Sequence, residues 1–519
     1  MPAKPILDLG KGGVVKDTSP VGLPENMYTE IRNMRIRNGG IEAVGGEATY
    51  KNVTNLNPEY GFHWRRPDQG YNIFLKDGKA YRVDAAGSES AMLNSGSADY
   101  TTSVWQTDFF NGGFAVIINN GKSTPLYALY NDPVAGSTFQ PFPGWNYTGG
   151  YTVYAKVIRS LGYSLVAANF TINDGSTISY APSTVRVSVQ AATGGFPAIW
   201  LPGLTTDTAD EFSINSTAPI FDMAELRGNM FIYSAENIHM LSIRGGQSQV
   251  VPYIKGRGIL NTNCVVEYEG NHFVVDATDI YTHNGSGTAK SLAEGRVKDY
   301  FFDNLNRTYY TLVHVIKQPV FNEIWVCYPK GVATKCSEAM IYNYRNDTWT
   351  FRDLSNVVSS FNTFDTNGST YQYASPVILS CLGVTKVLKN ESGTQFYTGT
   401  GDTFADFTSY VQRDKLSSGD FLQNVQVDSL APVIDEMSES DPTFNIYMTG
   451  SNSFAAATDF SNADGRDLFT FKPKSTTYIS QTYKVSPRVK GRFLNYKISG
   501  TKSWRIAAIG LETHSTDKR

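Results

Sequence analysis

The side chains in this 519-residue chain that could carry catalysis or hold a metal are few. His63, His239, His272, His283, His314 and His514 form no HxH or HExxH pair, the spacings that bring two imidazoles to one metal. His239 and His272 therefore read as packing or surface residues. Cys264, Cys327, Cys336 and Cys381 include no CxxC, so buried free thiols are expected rather than zinc or a disulfide framework. No GxxxxGK[ST] cradle for nucleotide phosphates occurs. Asp276, Asp279 and Glu323 are candidates for the paired carboxylates of glycoside hydrolysis, whose separation is set in space rather than in sequence. Solvated strand-end acids are the plainer reading of them. The segment SADYTTSVW, from Ser97 to Trp105, has the Ser, Asp and Trp of the repeated sialidase turn but not its glycine. Arg32, Arg35 and Arg37 are a local basic concentration, and on a strand Arg35 and Arg37 share one face. They are the candidate contacts to DNA phosphate or to an acidic partner surface, with an ordinary solvated face as the plainer reading.

The elements that must position these residues are strands. Short alternating apolar runs are broken by Gly, Asn and Asp. Asp77-Gly78, Asn120-Gly121 and Asp174-Gly175 read as two-residue hairpin turns, because both central positions need positive φ. Helical signals are confined to MAELRGN from Met223 and AEGRVKDYFFDN from Ala293. Weak repetition is more informative. Gly228-Asn229 recurs as Gly270-Asn271, and Asn237-Ile238-His239 as Asp279-Ile280-Tyr281, both at an offset of 42. A third unit begins at Asn322, with Trp325 and Trp349 as expected packing between units. A period in the low forties with about four strands per unit is the signature of propeller blades. After FYTGTGDTFADF the pattern becomes long alternating strands: VQVDSLAPVI, TFNIYMTGS, RFLNYKISG and KSWRIAAIGLETH. The expectation is an all-β chain: an extended N-terminal arm over 1–48, a β-propeller over 49–404 and a C-terminal β-sandwich over 405–519.

Composition narrows the classes. Lys+Arg number 45 against 48 Asp+Glu, a formal charge of −3, which is not the basic balance of a protein that grips nucleic acid by its phosphates. No stretch of membrane-spanning length is uninterruptedly apolar, and MPAKPILDLGKGG lacks the apolar core of a signal peptide.

The arm LPENMYTEIRNMRIRNGGIEAVGG, residues 23–46, resembles the opening of tail proteins of short-tailed bacteriophages. There an acidic-hydrophobic-x-Asn segment with two later glycines precedes a propeller, and Ile31, Asn33, Gly39 and Gly46 hold those places. The unit NEIWV…IYNYRNDTWTFRD and the ending RVKGRFLNYKISGTKSWRIAAIGLE resemble the same family. It comprises the tail nozzle or tail hub proteins, also called tail tubular protein B or packaged-DNA stabilisation protein, and this chain is nearer its compact members. The resemblance implies a homo-hexamer around the tail axis, bound to the adaptor ring beneath the portal and supporting fibres or spikes. It implies a virion component made in the host cytoplasm, without membrane insertion. Transient contact with double-stranded DNA in the channel follows, and with it a weakly repelling wall. No catalytic residue, cofactor or metal is expected on this reading. The rival expectations are a virion-associated propeller glycosidase acting on surface polysaccharide and a carbohydrate-binding receptor-recognition protein.

Overall fold

The computed structural model describes residues 4–52, 60–65, 70–76, 79–83, 89–92, 105–129, 139–147, 149–203, 209–362, 365–367, 370–372, 377–381, 386–398, 403–417, 423–437, 444–455, 460, 468–471, 481–482, 484–501 and 503–516. The turn at Asp77-Gly78 and most of the segment 97–105 lie outside the described residues.

The chain is all-β. Among the described residues, six four-stranded antiparallel units follow one another in sequence, spanning 60–91, 106–141, 152–213, 220–255, 265–291 and 314–362. Their faces explain their order. In the strand Ala115–Asn119 every residue is buried, which one half-solvated sheet would not allow. Val116 and Ile118 pack on Phe62, Trp64 and Ile73 of sheet one, while Ala115 and Ile117 pack on Val153 and Ala155 of sheet three. Val157 and Val166 of sheet three then meet Met223 and Ile232 of sheet four. Phe273 of sheet five lies 6.3 Å from Trp349 of sheet six, whose indole N–H donates to the Leu292 carbonyl at 2.9 Å. Phe361, at the end of sheet six, meets Phe74 of sheet one at 6.0 Å, which closes the cycle. Two-sided burial by neighbouring sheets in a closed ring is the β-propeller arrangement. Trp349 is an inter-blade residue as expected, whereas Trp325 packs with Ile316, Cys327 and Leu388.

The repeats fall on equivalent positions. Arg227-Gly228 and Glu269-Gly270 are both two-residue turns with positive φ at each residue, joining the first and second strands of sheets four and five. The turn expectation needs correcting elsewhere. Asn120 opens a six-residue connection between Ala115–Asn119 and Leu126–Leu129, held by its side-chain oxygen accepting from Lys122 N and Ser123 N. Asp174 does the same for Ser176 N and Thr177 N, so the side chain supplies what a tight backbone turn would. MAELRGN is strand and turn rather than helix, and the second helical signal gives Lys298–Asn304.

All four long C-terminal strand signals form strands, Val425–Met437, Phe444–Ser451, Phe493–Thr501 and Trp504–Ser515. They are divided between two sheets, and the N-terminal arm enters both. Lys4–Ile6 and Gly40–Ala43 pair with Trp504–Ser515. Glu30–Arg32 pairs parallel with sheet six at Arg32↔Phe351 and antiparallel with Thr408–Leu416, so the sixth blade continues through the arm into a C-terminal sheet. The arm is therefore structural stitching along its length, not a detached extension.

Candidate functional site

Two places combine polar chemistry with defined geometry: the seam the arm makes, and a cavity where the propeller sheets converge. At the seam, the hairpin Met34–Arg37/Gly40–Ala43 turns on Asn38-Gly39, with φ of 48° and 73°, the left-handed pair that Asn-Gly tolerates best. Asn33 precedes it at φ 55°. Its side-chain N–H₂ donates to Asp353 Oδ2 at 2.8 Å and to the Thr408 carbonyl at 2.9 Å, and its Oδ1 accepts from Asp353 N at 2.9 Å. One amide thus clamps the arm to sheet six and to the C-terminal sheet. At Gly46 an added Cβ would lie 2.5 Å from Gln395 N, so backbone proximity requires glycine there.

The candidate arginines are drawn into this seam. Arg35 is 4% exposed, with Nε 2.9 Å from Glu323 Oε1, Nη2 2.8 Å from Glu391 Oε1 and its guanidinium stacked 3.5 Å from the Phe321 ring centroid. Arg352 joins Glu391 Oε1 at 2.9 Å and Asn390 Oδ1 at 2.7 Å. Arg32 contacts Glu30 at 2.8 Å, Glu338 at 2.7 Å and Asp353 at 2.5 Å. The candidate contact to phosphate or a partner is thus corrected for two of them: Arg35 has its charge satisfied by the buried Glu323 and Glu391, and Arg32 by the interior Glu30 and Glu338 and the half-exposed Asp353. Arg37 is exposed beside Glu42 at 3.4 Å, because the hairpin has left the seam by its turn. Sharing a strand face did not give Arg35 and Arg37 one environment. Burial alone would raise Glu391, but Arg35, Arg352 and the Gly45 N–H outweigh it and hold its pKa below the usual range. Burial also raises Glu323, and Arg35 and the Trp325 indole offset only part of it. Glu391, Arg352 and Glu338 carried no sequence signal, since Glu391 stands 356 residues from Arg35.

The other candidates do not converge. Asp276 and Asp279 bracket one turn: Asp276 accepts from Ala277 N, and Asp279 accepts from Ile280 N and Ser291 Oγ at 2.8 Å each and from Arg257 at 2.7 Å. Glu323 lies in the arginine seam. Cys264, Cys327 and Cys336 are buried free thiols, pushed up in pKa by that burial. Sequence reasoning missed a histidine pair. Tyr233 Oη lies 2.6 Å from His272 Nδ1 and 2.7 Å from His283 Nε2, between sheets four and five. His272 Nε2 faces the Glu225 carbonyl at 3.0 Å and so carries the proton, which leaves Nδ1 to accept from Tyr233; His283 Nε2–H then donates to the same oxygen. Burial lowers these imidazoles to about 4 and about 3. Both are neutral. Among the described residues, no group of three or more His, Cys, Asp or Glu side chains could hold a metal.

The second place is a cavity of about 590 Å³. It is lined by residues of several sheets and of the connections between them, including Tyr60, Gln106, Lys122, Lys156, Thr262 and His314. Side-chain amides lace neighbouring sheets at its rim: Gln106 Nε2 donates to the Lys156 carbonyl at 2.8 Å and Asn119 Nδ2 to the Ala155 carbonyl at 2.8 Å. His314 is lowered in pKa by burial, faces the Leu312 carbonyl through Nδ1 and accepts from Ser360 Oγ through Nε2, each at 2.9 Å. Its described lining contains no carboxylate.

No protein-family model matches the chain, and no curated protein matches it in sequence. Among solved structures it is similar to a crystal structure of RRP9 WD40 repeats, at 9% identity and a TM-score of 0.42, covering 67% of this chain and 99% of that one.

Proposed function

We propose that this chain is a structural subunit of a six-copy tail nozzle of a short-tailed bacteriophage. On this reading the ring extends the channel beneath the adaptor, retains packaged double-stranded DNA, conducts it on ejection, and supports fibres or spikes. The two C-terminal sheets form a sandwich that serves as a platform beside the propeller. The observation that carries the proposal is the arm. The segment that bears the resemblance is the one that joins blade six to the C-terminal sheets, and its shared positions have physical reasons: Ile31 is fully buried, Asn33 clamps both sides, Gly39 turns the hairpin and Gly46 admits a backbone. A wall element loaded by packaged DNA needs its two halves to move together, and a shared strand provides that coupling. The enzymatic alternative receives less support, because Asp276, Asp279 and Glu323 are engaged separately and lie outside the described lining of the cavity.

The test is six-fold averaged imaging of purified virions carrying a label at the C-terminus of this chain. The expected result is six copies of the label around the tail axis below the adaptor. Label confined to peripheral fibres, or none on the tail, would overturn the proposal.

A further inference from the structure

We infer that Ser360 and His314 form a nucleophile–base dyad at the wall of the propeller cavity, and that the Ser360 hydroxyl is acylated by small carboxylic esters admitted there. This is an activity separate from the structural role proposed above and does not rest on it.

The geometry assigns the protons. His314 opens the first strand of sheet six and Ser360 lies near the end of its last strand, 46 residues on. Both line the cavity of about 590 Å³. The Leu312 carbonyl can only accept, so His314 Nδ1, 2.9 Å from it, carries the imidazole proton. Nε2 is then a bare acceptor 2.9 Å from Ser360 Oγ, the arrangement in which an imidazole takes a hydroxyl proton. The carbonyl fixes the tautomer and orientation of the ring, as a carboxylate does in a triad. The titratable groups beside the dyad are two thiols. Cys336 Sγ lies 4.0 Å from Nδ1 and donates to the same carbonyl at 3.3 Å. Cys327, the register partner of His314, shares a hydrogen bond with the Ser360 hydroxyl. Burial raises both thiols and lowers His314, so all three are neutral at neutral pH and the imidazole is ready to act as base.

The surroundings suit a small ester. Ser360 is half-buried and His314 buried, the order that offers the nucleophile to a ligand and shields its base from water. The cavity volume is that of a small-molecule site, and Tyr60, Trp105 and Val315 give an acyl or aryl group apolar wall. Lys156 is a cation exposed on the same lining, and it attracts the oxyanion that develops as an ester is attacked. In the reaction, Oγ bonds to the acyl carbon as its proton passes to Nε2. The ester C–O bond breaks and the leaving alcohol takes that proton. Water, giving a proton to the freed imidazole, then releases the acyl group as carboxylic acid and restores the serine.

The test is labelling of the full chain with a fluorophosphonate, located by peptide mass spectrometry. Fluoride leaves phosphorus as Oγ bonds to it, so a stable adduct on the Ser360 peptide is expected, and none there in S360A. H314Q, checked for folding by its thermal melt, should slow labelling of Ser360 by about 100-fold, the scale of general-base assistance. On the parent itself, that rate should stay level from about pH 7 to about pH 9, because the neutral imidazole is the base throughout. An unassisted hydroxyl would instead react about tenfold faster per pH unit as its alkoxide fraction grows. Turnover of p-nitrophenyl acetate should fall in S360A to the rate of the reagent in buffer with a surface-lysine background. No adduct on Ser360 in the folded parent would overturn the inference, as would a rate rising tenfold per pH unit, labelling of Ser360 undiminished in folded H314Q, or ester turnover undiminished in folded S360A.

Discussion

At the scale of single residues, the seam shows how an interior arginine changes meaning. Arg35 on a strand beside Arg37 has the sequence of a basic patch, but the fold brings Glu323 and Glu391 to it and stacks it on Phe321. Such a pair is sensitive to loss of one partner, because the remaining charge stays buried. The E391Q substitution keeps the size of the side chain but removes the carboxylate that Arg352 bonds, leaving it only the field of Glu47, and leaves Arg35 with one carboxylate in place of two. It should cost about 3–5 kcal/mol of stability, read as a lower denaturant midpoint at unchanged slope. A change below about 1 kcal/mol would mean the seam is solvated rather than closed.

Elements give the histidine pair its effect. His272 and His283 sit on paired strands of sheet five, at the register His272↔His283, and reach Tyr233 on sheet four. The unfolded imidazole titrates near 6.5, whereas the folded values are about 4 and about 3. A depressed folded pKa makes the contribution complete above the unfolded value and removes it as pH falls towards the folded one. Between pH 7 and pH 5 the pair should therefore lower stability by about 2–4 kcal/mol. Urea titrations at the two pH values would measure it. The same comparison on H272Q/H283Q should lose the pair's share of the difference, the remainder belonging to His314 and His239, which burial also lowers, and an unchanged pH response there would place the titration elsewhere.

For the whole molecule, the arm decides how units are coupled. Glu30–Arg32 is hydrogen-bonded to sheet six on one side and to Thr408–Leu416 on the other, and Ile31 between them is fully buried. Propeller and C-terminal sheets should consequently unfold in one cooperative transition. I31D, which places a charge in that strand, should split the calorimetric endotherm in two by releasing the C-terminal sheets first. Two well-separated endotherms in the parent protein would show that the strand does not couple them.

Much of this architecture was legible in the sequence, because it depends on local periodicity. Alternation marked the four long C-terminal strands, and the 42-residue offset placed Gly228 and Gly270 at equivalent turns. Trp349 was recognisable as inter-blade packing for the same reason. What stayed hidden depends on distant approach. A sequence does not say that residue 35 meets residues 323 and 391, or that Gln106, Lys122 and Lys156 face one cavity. It does not distinguish an arm that extends from one that is hydrogen-bonded into two sheets, since strand propensity is the same for both. Strands, repeat and the shortage of catalytic motifs are local properties and can be read along the chain. Which charges are interior follows from the fold alone, because burial and pairing are properties of what the chain folds against.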